Sequence, residues 1–560
     1  MELTTQIPSP PSDAPAGSSP GSARHARPRQ TLSRPGPTLS SVVLLCAIAA
    51  AVIVGTYVRL WLLGNQGINS DEATVGLMAH QILHGHFSTF YWGQSYGSGE
   101  PYFVAATFAL FGQSAFTLNL APALLAAAAA VVVWRIGLRL FSPWCATASA
   151  ALTWVWGEAA VWNSVREIGF RGATLLLGLL VVLLVLRIQS ALVEGDQHLV
   201  DWFGVGLCAG VGWWCSPEII YFLVPAIVVL AIELFRHRRR RSWIALGTAV
   251  LAFLLGSSPW LIATVTRGGT FSQASSPVGY FGRLQLFFTH AVPIALGLRV
   301  EGAGAWITSP WLSVAVLVFL TAATVASMAI LFGERAARIL VLSLLLFPFL
   351  YAAFSATSFW NDARYLSYLP PLLALTWMGA LWKVAGRQAA QILASAVLAA
   401  AIASTLVSFN DGYGALNSKS SLTSWRANPN TALTALSDHL VGAKVKDVLA
   451  HYWVANSLGF ISGGRLTALD PDSARNIPGS EPQLAAAERT WVFVDPDDLA
   501  ASEAALGVPG QPSPGGLSVS QVEAWARGHG ITVKTTHVGP FIVAQFSRSV
   551  SIGDVTAPAP

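Results

Sequence analysis

The sequence returns repeatedly to long apolar stretches that contain no charge, beginning with an 18-residue run at 41–58. A helix needs about 20 such residues to cross about 30 Å of hydrocarbon, and in lipid only a helix or a closed barrel satisfies its own backbone. On that rule we expect eleven spans, at 41–63, 117–137, 144–163, 170–187, 202–216, 218–235, 243–263, 311–332, 339–355, 366–382 and 389–408. The run at 101–111 is too short to span and reads as interfacial or re-entrant. Charged residues make up 11% of the 560-residue chain, where a soluble domain carries about 25%. The expected fold class is a polytopic α-helical membrane protein.

Loop charge sets the expected orientation. With the N-terminus inside, the inside loops carry Arg135 and Arg139, then Arg187, Arg236 to Arg241, Arg335 and Arg338, and Lys383 with Arg387. Every short inside loop is then basic, and an odd number of spans leaves the C-terminus outside. Residues 1–39, rich in Pro, Ser, Ala and Arg, read as a disordered cytoplasmic arm. The span-bearing core is 40–408, with a first outer loop at 64–116. The tail, 409–560, changes character: its 13 acids and 10 bases give a net charge of −3 against +8 for the rest. "KDVLAHYW", "TWVFVD" and "GPFIVAQF" read as short strands or strand–helix pieces and "VSQVEAWARGHG" as a helix ending at glycine. We expect a small extracytoplasmic α/β domain at about 430–550. The net charge of +5 comes in short basic bursts between apolar runs, which is no nucleic-acid signature. The four cysteines lie in apolar runs, without CxxC or Cys/His spacing.

Just past the first run, in "GINSDEATVGLMAHQILHGH", stand two adjacent acids, Asp71 and Glu72. Helix capping is one reading: Ser70 as N-cap, the acids in the first turn where the helix dipole favours them, and a helix ending at Gly85. His80 and His84 share a face, but without HExxH they read as an amphipathic surface rather than a metal pair. Arg59 lies inside the first span and needs a partner, the nearest acids being those of the next loop. Arg166 and Arg171 read as interfacial anchors. Tyr91, Trp92, Tyr96 and Trp360 suit either sugar stacking or an interfacial aromatic belt.

Four segments in order, "RLWLLGNQGINSDEA", "GQSYGSGEPYFVAATFALFGQSAFTLNLAPAL", "GSSPWLIATVTRGGT" and "NDARYLSYLPPLLAL", resemble the GT-C-fold glycosyltransferases. The likeness covers about 40–408 and is strongest to the bacterial branch related to protein O-mannosyltransferases and the aminoarabinose transferase of lipid A. The resemblance implies a polyprenyl-phosphate-linked sugar donor, used at the outer face of the cell membrane, with an envelope glycan, lipid or protein as acceptor. It implies Asp71 or Glu72 as the general base of an inverting transfer. Arg364 is the expected partner of the donor phosphate, with Arg59 and Arg267 behind it. Glu100, Tyr96 and Tyr365 are expected to bind substrate, and no metal or other cofactor is expected. A transporter or flippase of a lipid-linked substrate is the rival class. It is disfavoured because no internal repeat is present and the charges cluster at one face rather than at the midplane.

Overall fold

Every one of the eleven apolar runs is helical in the computed structural model, which describes residues 38–237, 240–267, 276–299, 301, 304–358, 362–414, 430–495 and 513–556. Residues 1–37 of the expected arm at 1–39, Trp360 and the side chain of Arg267 lie outside the described residues. Among the described residues, six helices are long and apolar enough to cross a bilayer: Leu39–Asn65, Ala115–Leu140, Arg171–Glu194, Pro217–Arg236, Pro310–Phe332 and Arg387–Phe409. Arg241–Gly256 and Ser258–Thr266 form a pair bent by 59° that passes the same test together.

The other expected spans are shorter. Leu199–Cys215 has 17 residues, and Arg338–Ala353 and Leu369–Val384 have 16 each. Sixteen residues rise only about 24 Å. The run at 144–163 is two helices, Pro143–Val155 and Glu158–Asn163, because Trp156 turns extended and Gly157 caps a new helix headed by an acid. Eleven apolar runs are therefore not eleven full-length crossing helices.

Small residues bring the bundle together. Gly206 and Gly210, spaced as GxxxG, let Leu199–Cys215 lie against Arg240–Gly256; a Cβ on Gly206 would sit 2.0 Å from the Ala249 carbonyl oxygen. Such stripes drive helix association where lipid removes the hydrophobic incentive. Pro310–Phe332 instead leaves Trp311 and Phe319 exposed (88% and 69%), as an all-round apolar helix facing lipid does.

The C-terminal region is α/β. Strands β1 (Asp447–Ala450), β2 (Thr467–Leu469), β3 (Thr490–Val494), β4 (Val533–Val538) and β5 (Phe541–Phe546) form one sheet ordered β2-β1-β3-β5-β4. β1 runs parallel to β2 and β3, and β5 antiparallel to β3 and β4. β3 is buried throughout: Val492 and Val494 join the core under the helices Thr431–Gly442 and Tyr452–Ile461, while Trp491 and Phe493 join the core of the opposite face. A strand buried on both faces reads as a continuous apolar run, which is why "TWVFV" is legible. "KDVLAHYW" is a strand–helix piece: β1 stops at Ala450 and a helix starts at Tyr452.

That helix docks onto Ser70–Leu83, and both lie in one compact unit. The approach is close enough to require glycine, since a Cβ on Gly76 would meet the Phe460 ring at 2.3 Å. Phe460 packs into the core that Val75, Leu77, Met78, Val104 and Phe108 build.

Candidate active site

The helix Ser70–Leu83 carries the two acids in its first turn. Its N-cap is Asn69, not Ser70: Asn69 Oδ1 accepts from the Glu72 amide at 3.1 Å. Ser70 faces the C-terminal region instead and donates to the Tyr452 carbonyl at 2.6 Å. Thr74 Oγ1, one turn on, accepts from Asn456 Nδ2 at 2.7 Å. The helix ends at Leu83, with His84 as C-cap and Gly85 following at φ +86°. His80 bonds Gln113 at 2.8 Å, and its ring lies 4.3 Å from that of His84, tilted by 38°. Consecutive helical residues point about 100° apart, so the two acids look into different surroundings.

Asp71 lies in a half-open cluster, its side chain 16% exposed. Oδ1 accepts from the Tyr452 hydroxyl at 2.6 Å and from Arg475 Nη1. Oδ2 has a longer contact, 3.4 Å, to Arg364 Nη1. The Tyr91 hydroxyl donates to the Asp71 carbonyl at 2.7 Å. Burial works to raise the pKa of Asp71, but Arg364, Arg475 and the Tyr452 hydroxyl outweigh it and hold the carboxyl below its ordinary value. Arg364 also pairs with Asp362 and lies 5.6 Å from the Tyr365 ring. A cleft of about 600 Å³ opens beside this cluster, between the loop at 87–95 and Ala474 with Pro478.

Glu72 points into the protein. Its side chain is 1% exposed, and it pairs with Arg166 Nε at 2.9 Å while Asn119 Nδ2 donates to it at 3.3 Å. Arg166 lies 4.2 Å over the Trp162 ring. Burial raises the Glu72 pKa against the pull of Arg166. Neither Arg166 nor Arg171 is an interfacial anchor: both are buried in ion pairs, Arg171 with Glu218 at 3.1 Å. Glu218 also accepts from the Tyr368 hydroxyl at 2.6 Å.

The other expected site residues divide. Arg59 does not reach the acids of the loop. It stacks on Trp154 at 3.7 Å and donates to Ser164 Oγ, the Gly55 carbonyl and the Trp154 carbonyl. It shares with Arg166 and Arg171 the wall of a cavity of about 70 Å³. Glu100 is buried and accepts from the Ala173 amide at 2.6 Å, in the first turn of the helix Arg171–Glu194. Beside it is Glu167, fully buried, whose pKa is pushed well up by burial and then by Glu100. Tyr96 stacks on Phe170 with centroids 4.0 Å apart. Tyr365 is buried, with the Arg171 guanidinium 4.5 Å from its ring.

Two residues that sequence reasoning missed, Tyr452 and Arg475, touch the Asp71 carboxylate. Tyr452 opens its helix, and Asp470 Oδ2 accepts its backbone amide at 2.8 Å. Arg475 lies in the following loop, which Asp470 and Asn476 close with reciprocal bonds of 3.1 and 2.6 Å. Asn456 Nδ2 donates to the Arg475 carbonyl at 3.2 Å as well as to Thr74, so one amide ties that loop to the acid-bearing helix. Gln94, its amide oxygen turned toward Arg475, accepts from Nη2 at 2.6 Å. A lone Arg inside "DPDSARNIPGS" carries no periodic or motif signal that would have singled it out.

The chain resembles known proteins at two levels. Residues 99–262 match the family model for dolichyl-phosphate-mannose-protein mannosyltransferase. The crystal structure of ArnT from Cupriavidus metallidurans bound to undecaprenyl phosphate superposes over 93% of this chain and 100% of its own, with a TM-score of 0.55 at 13% identity. Its apo form does so over the same shares, with a TM-score of 0.57 at 12% identity. The chain has the GT-C fold of membrane glycosyltransferases. The Archaeoglobus fulgidus oligosaccharyltransferase in its apo form is also similar, at 13% identity and a TM-score of 0.47 over 84% of this chain and 71% of its own. No curated protein matches the sequence. The GT-C fold and the apolar helices together make this a multi-pass membrane protein.

Proposed function

We propose that the chain is a membrane glycosyltransferase that moves a sugar from a polyprenyl-phosphate donor to an envelope glycan, lipid or protein at the outer membrane face, with Asp71 as general base. The observation that carries this reading is the Asp71 carboxylate itself. It is ionised, partly open and flanked by two guanidinium groups, and the Tyr91 that bonds its backbone carbonyl lines a cleft. Support for the donor class comes from the ArnT structure bound to undecaprenyl phosphate and from the family model that matches residues 99–262.

In this mechanism the acceptor hydroxyl enters by the cleft at 87–95 and gives its proton to Asp71. Its oxygen bonds to the anomeric carbon as the bond from that carbon to the phosphate oxygen breaks. The electron pair leaves on the polyprenyl phosphate, where Arg364 meets the growing charge. Displacement from the opposite side inverts the anomeric centre. Arg364 suits the phosphate because its contact to Asp71 is long and a guanidinium binds phosphate through paired bonds. Arg59, on the wall of the smaller cavity, is a second cation for the donor. Glu72, sealed against Arg166, is not the base.

The test is sugar transfer by the purified protein in nanodiscs, supplied with undecaprenyl-phosphate sugars and an envelope extract, and read by mass spectrometry. We expect transfer by the wild type and its near-total loss in Asp71→Asn, with undecaprenyl phosphate still bound. Movement of the donor between leaflets without glycosidic bond formation would favour the transporter class and overturn the reading.

A further inference from the structure

The C-terminal region reaches the membrane-side acid with two side chains and leaves an asymmetry on it. Both contacts fall on one oxygen: the Tyr452 hydroxyl and Arg475 Nη1 donate to Oδ1. The two donors also bond to each other, Arg475 Nη1 to the Tyr452 hydroxyl at 2.6 Å, so they act as one unit. Among the described residues, Oδ2 keeps only the 3.4 Å contact to Arg364. An ionised carboxylate has about four lone-pair sites, so the less engaged oxygen is the one with room for an incoming proton.

The support behind this unit is built rather than accidental. Ser70 and Thr74 of the acid-bearing helix bond the Tyr452 carbonyl and Asn456, and Asn456 also holds the Arg475 loop. Gly76 lets the two helices close on each other. Residues 381 and 404 positions from Asp71 thereby meet one carboxylate oxygen.

We propose that Arg475 and Tyr452 are positioning residues of the catalytic site, which anchor Oδ1 of Asp71 and leave Oδ2 as the atom that takes the acceptor proton. This rests on Asp71 being the base. The C-terminal region is then part of the site and not an appended module. When the donor phosphate draws Arg364 away, Oδ1 stays held and Oδ2 is freed. The charged and titratable groups facing Asp71 are Arg364 from 363–366, Arg475 and Tyr452 from the C-terminal region, Tyr91 from the loop and Glu72 beside it, with Asp362 acting through Arg364.

The experiment titrates Asp71 with and without turnover. Dicyclohexylcarbodiimide takes up protonated carboxyl groups, and peptide mass spectrometry locates the adduct. We expect the pH midpoint of labelling at Asp71 to rise by about one unit or more in Arg475→Met, since an opposite charge at this range lowers an acid's pKa by about 1–3 units. Tyr452→Phe, which removes a single oxygen, should move it the same way by less. Arg475→Lys should stay near the wild type. The acid limb of the pH–rate profile should shift by the same amounts, with undecaprenyl phosphate binding unchanged. Unmoved midpoints in both Arg475→Met and Tyr452→Phe overturn the proposal. If the midpoints move but the wild type transfers no sugar, the anchoring of the carboxylate stands and its role as the base fails.

Discussion

Asp71 and Glu72 are neighbours in the chain and occupy two unlike regions of the molecule. Glu72 is closed in with one arginine, one amide and an aromatic face, and solvent is excluded. Asp71 meets two arginines and a tyrosine from distant segments and stays partly open. The Glu72 pair has the character of structure: breaking one partner leaves a buried charge alone. The Asp71 cluster has the character of a working site, with a carboxylate held charged yet able to exchange partners.

The sharpest way to break this comparison is catalytic. Removing a general base costs about 10²–10⁴-fold in rate, so Asp71→Asn should lose transfer by that factor with little change in stability. Glu72→Gln should lose activity only in proportion to the folded protein it loses. Equal specific activities of the two folded variants would dissolve the distinction.

Stability should reverse the order. Breaking a buried ion pair costs about 3–5 kcal/mol, so Glu72→Gln should unfold much earlier in a denaturant titration. For Asp71→Asn the pairs are partly exposed and screened, and a loss of about 1 kcal/mol is expected.

Acid should separate the two regions as well. Asp71 titrates in the fold below its ordinary value of 3.8. Its contribution is therefore complete above that pH and is lost as pH falls further. Glu72 titrates above its ordinary value of 4.5. Its contribution is complete below that pH and is lost as pH rises through the folded value. The stability margin of the wild type over Asp71→Asn should shrink below about pH 4, and that over Glu72→Gln should grow as pH falls toward about 4.5. Thermal unfolding of the three proteins across pH 3–7 would show it.

The smallest effect belongs to the cap. Asn69→Ala removes the acceptor of the Glu72 amide and should cost about 1 kcal/mol, leaving the rank order of the acid variants unchanged. A calorimetric scan of the detergent-purified protein resolves a change of that size.

Much of the architecture is legible in the sequence because membrane insertion depends on local, summed hydrophobicity. Apolar runs mark helices, and "TWVFV" and "GPFIVAQF" mark β3 and β5 by composition alone. The acid-bearing helix also reads correctly from its turn residues, although the cap shifts by one because Ser70 has a tertiary partner. Lengths are less secure. The run at 144–163 looks continuous until Gly157 and Glu158 restart the helix.

Which arginine meets which acid belongs to another level. Arg364 lies 293 positions from Asp71 and Arg475 lies 404. Arg59, nearest along the chain, goes instead to Trp154 and Ser164. Periodicity and composition act over a few helical turns, whereas an ion pair forms wherever folding brings a guanidinium and a carboxylate together and removes their water. The sequence by itself determined a polytopic helical protein with an α/β C-terminal region and an acid pair at a helix start. Only the tertiary structure decided that one acid is sealed while its neighbour stands half-open under Arg475 and Tyr452, because burial and charge pairing are set by packing between segments that share no local signal.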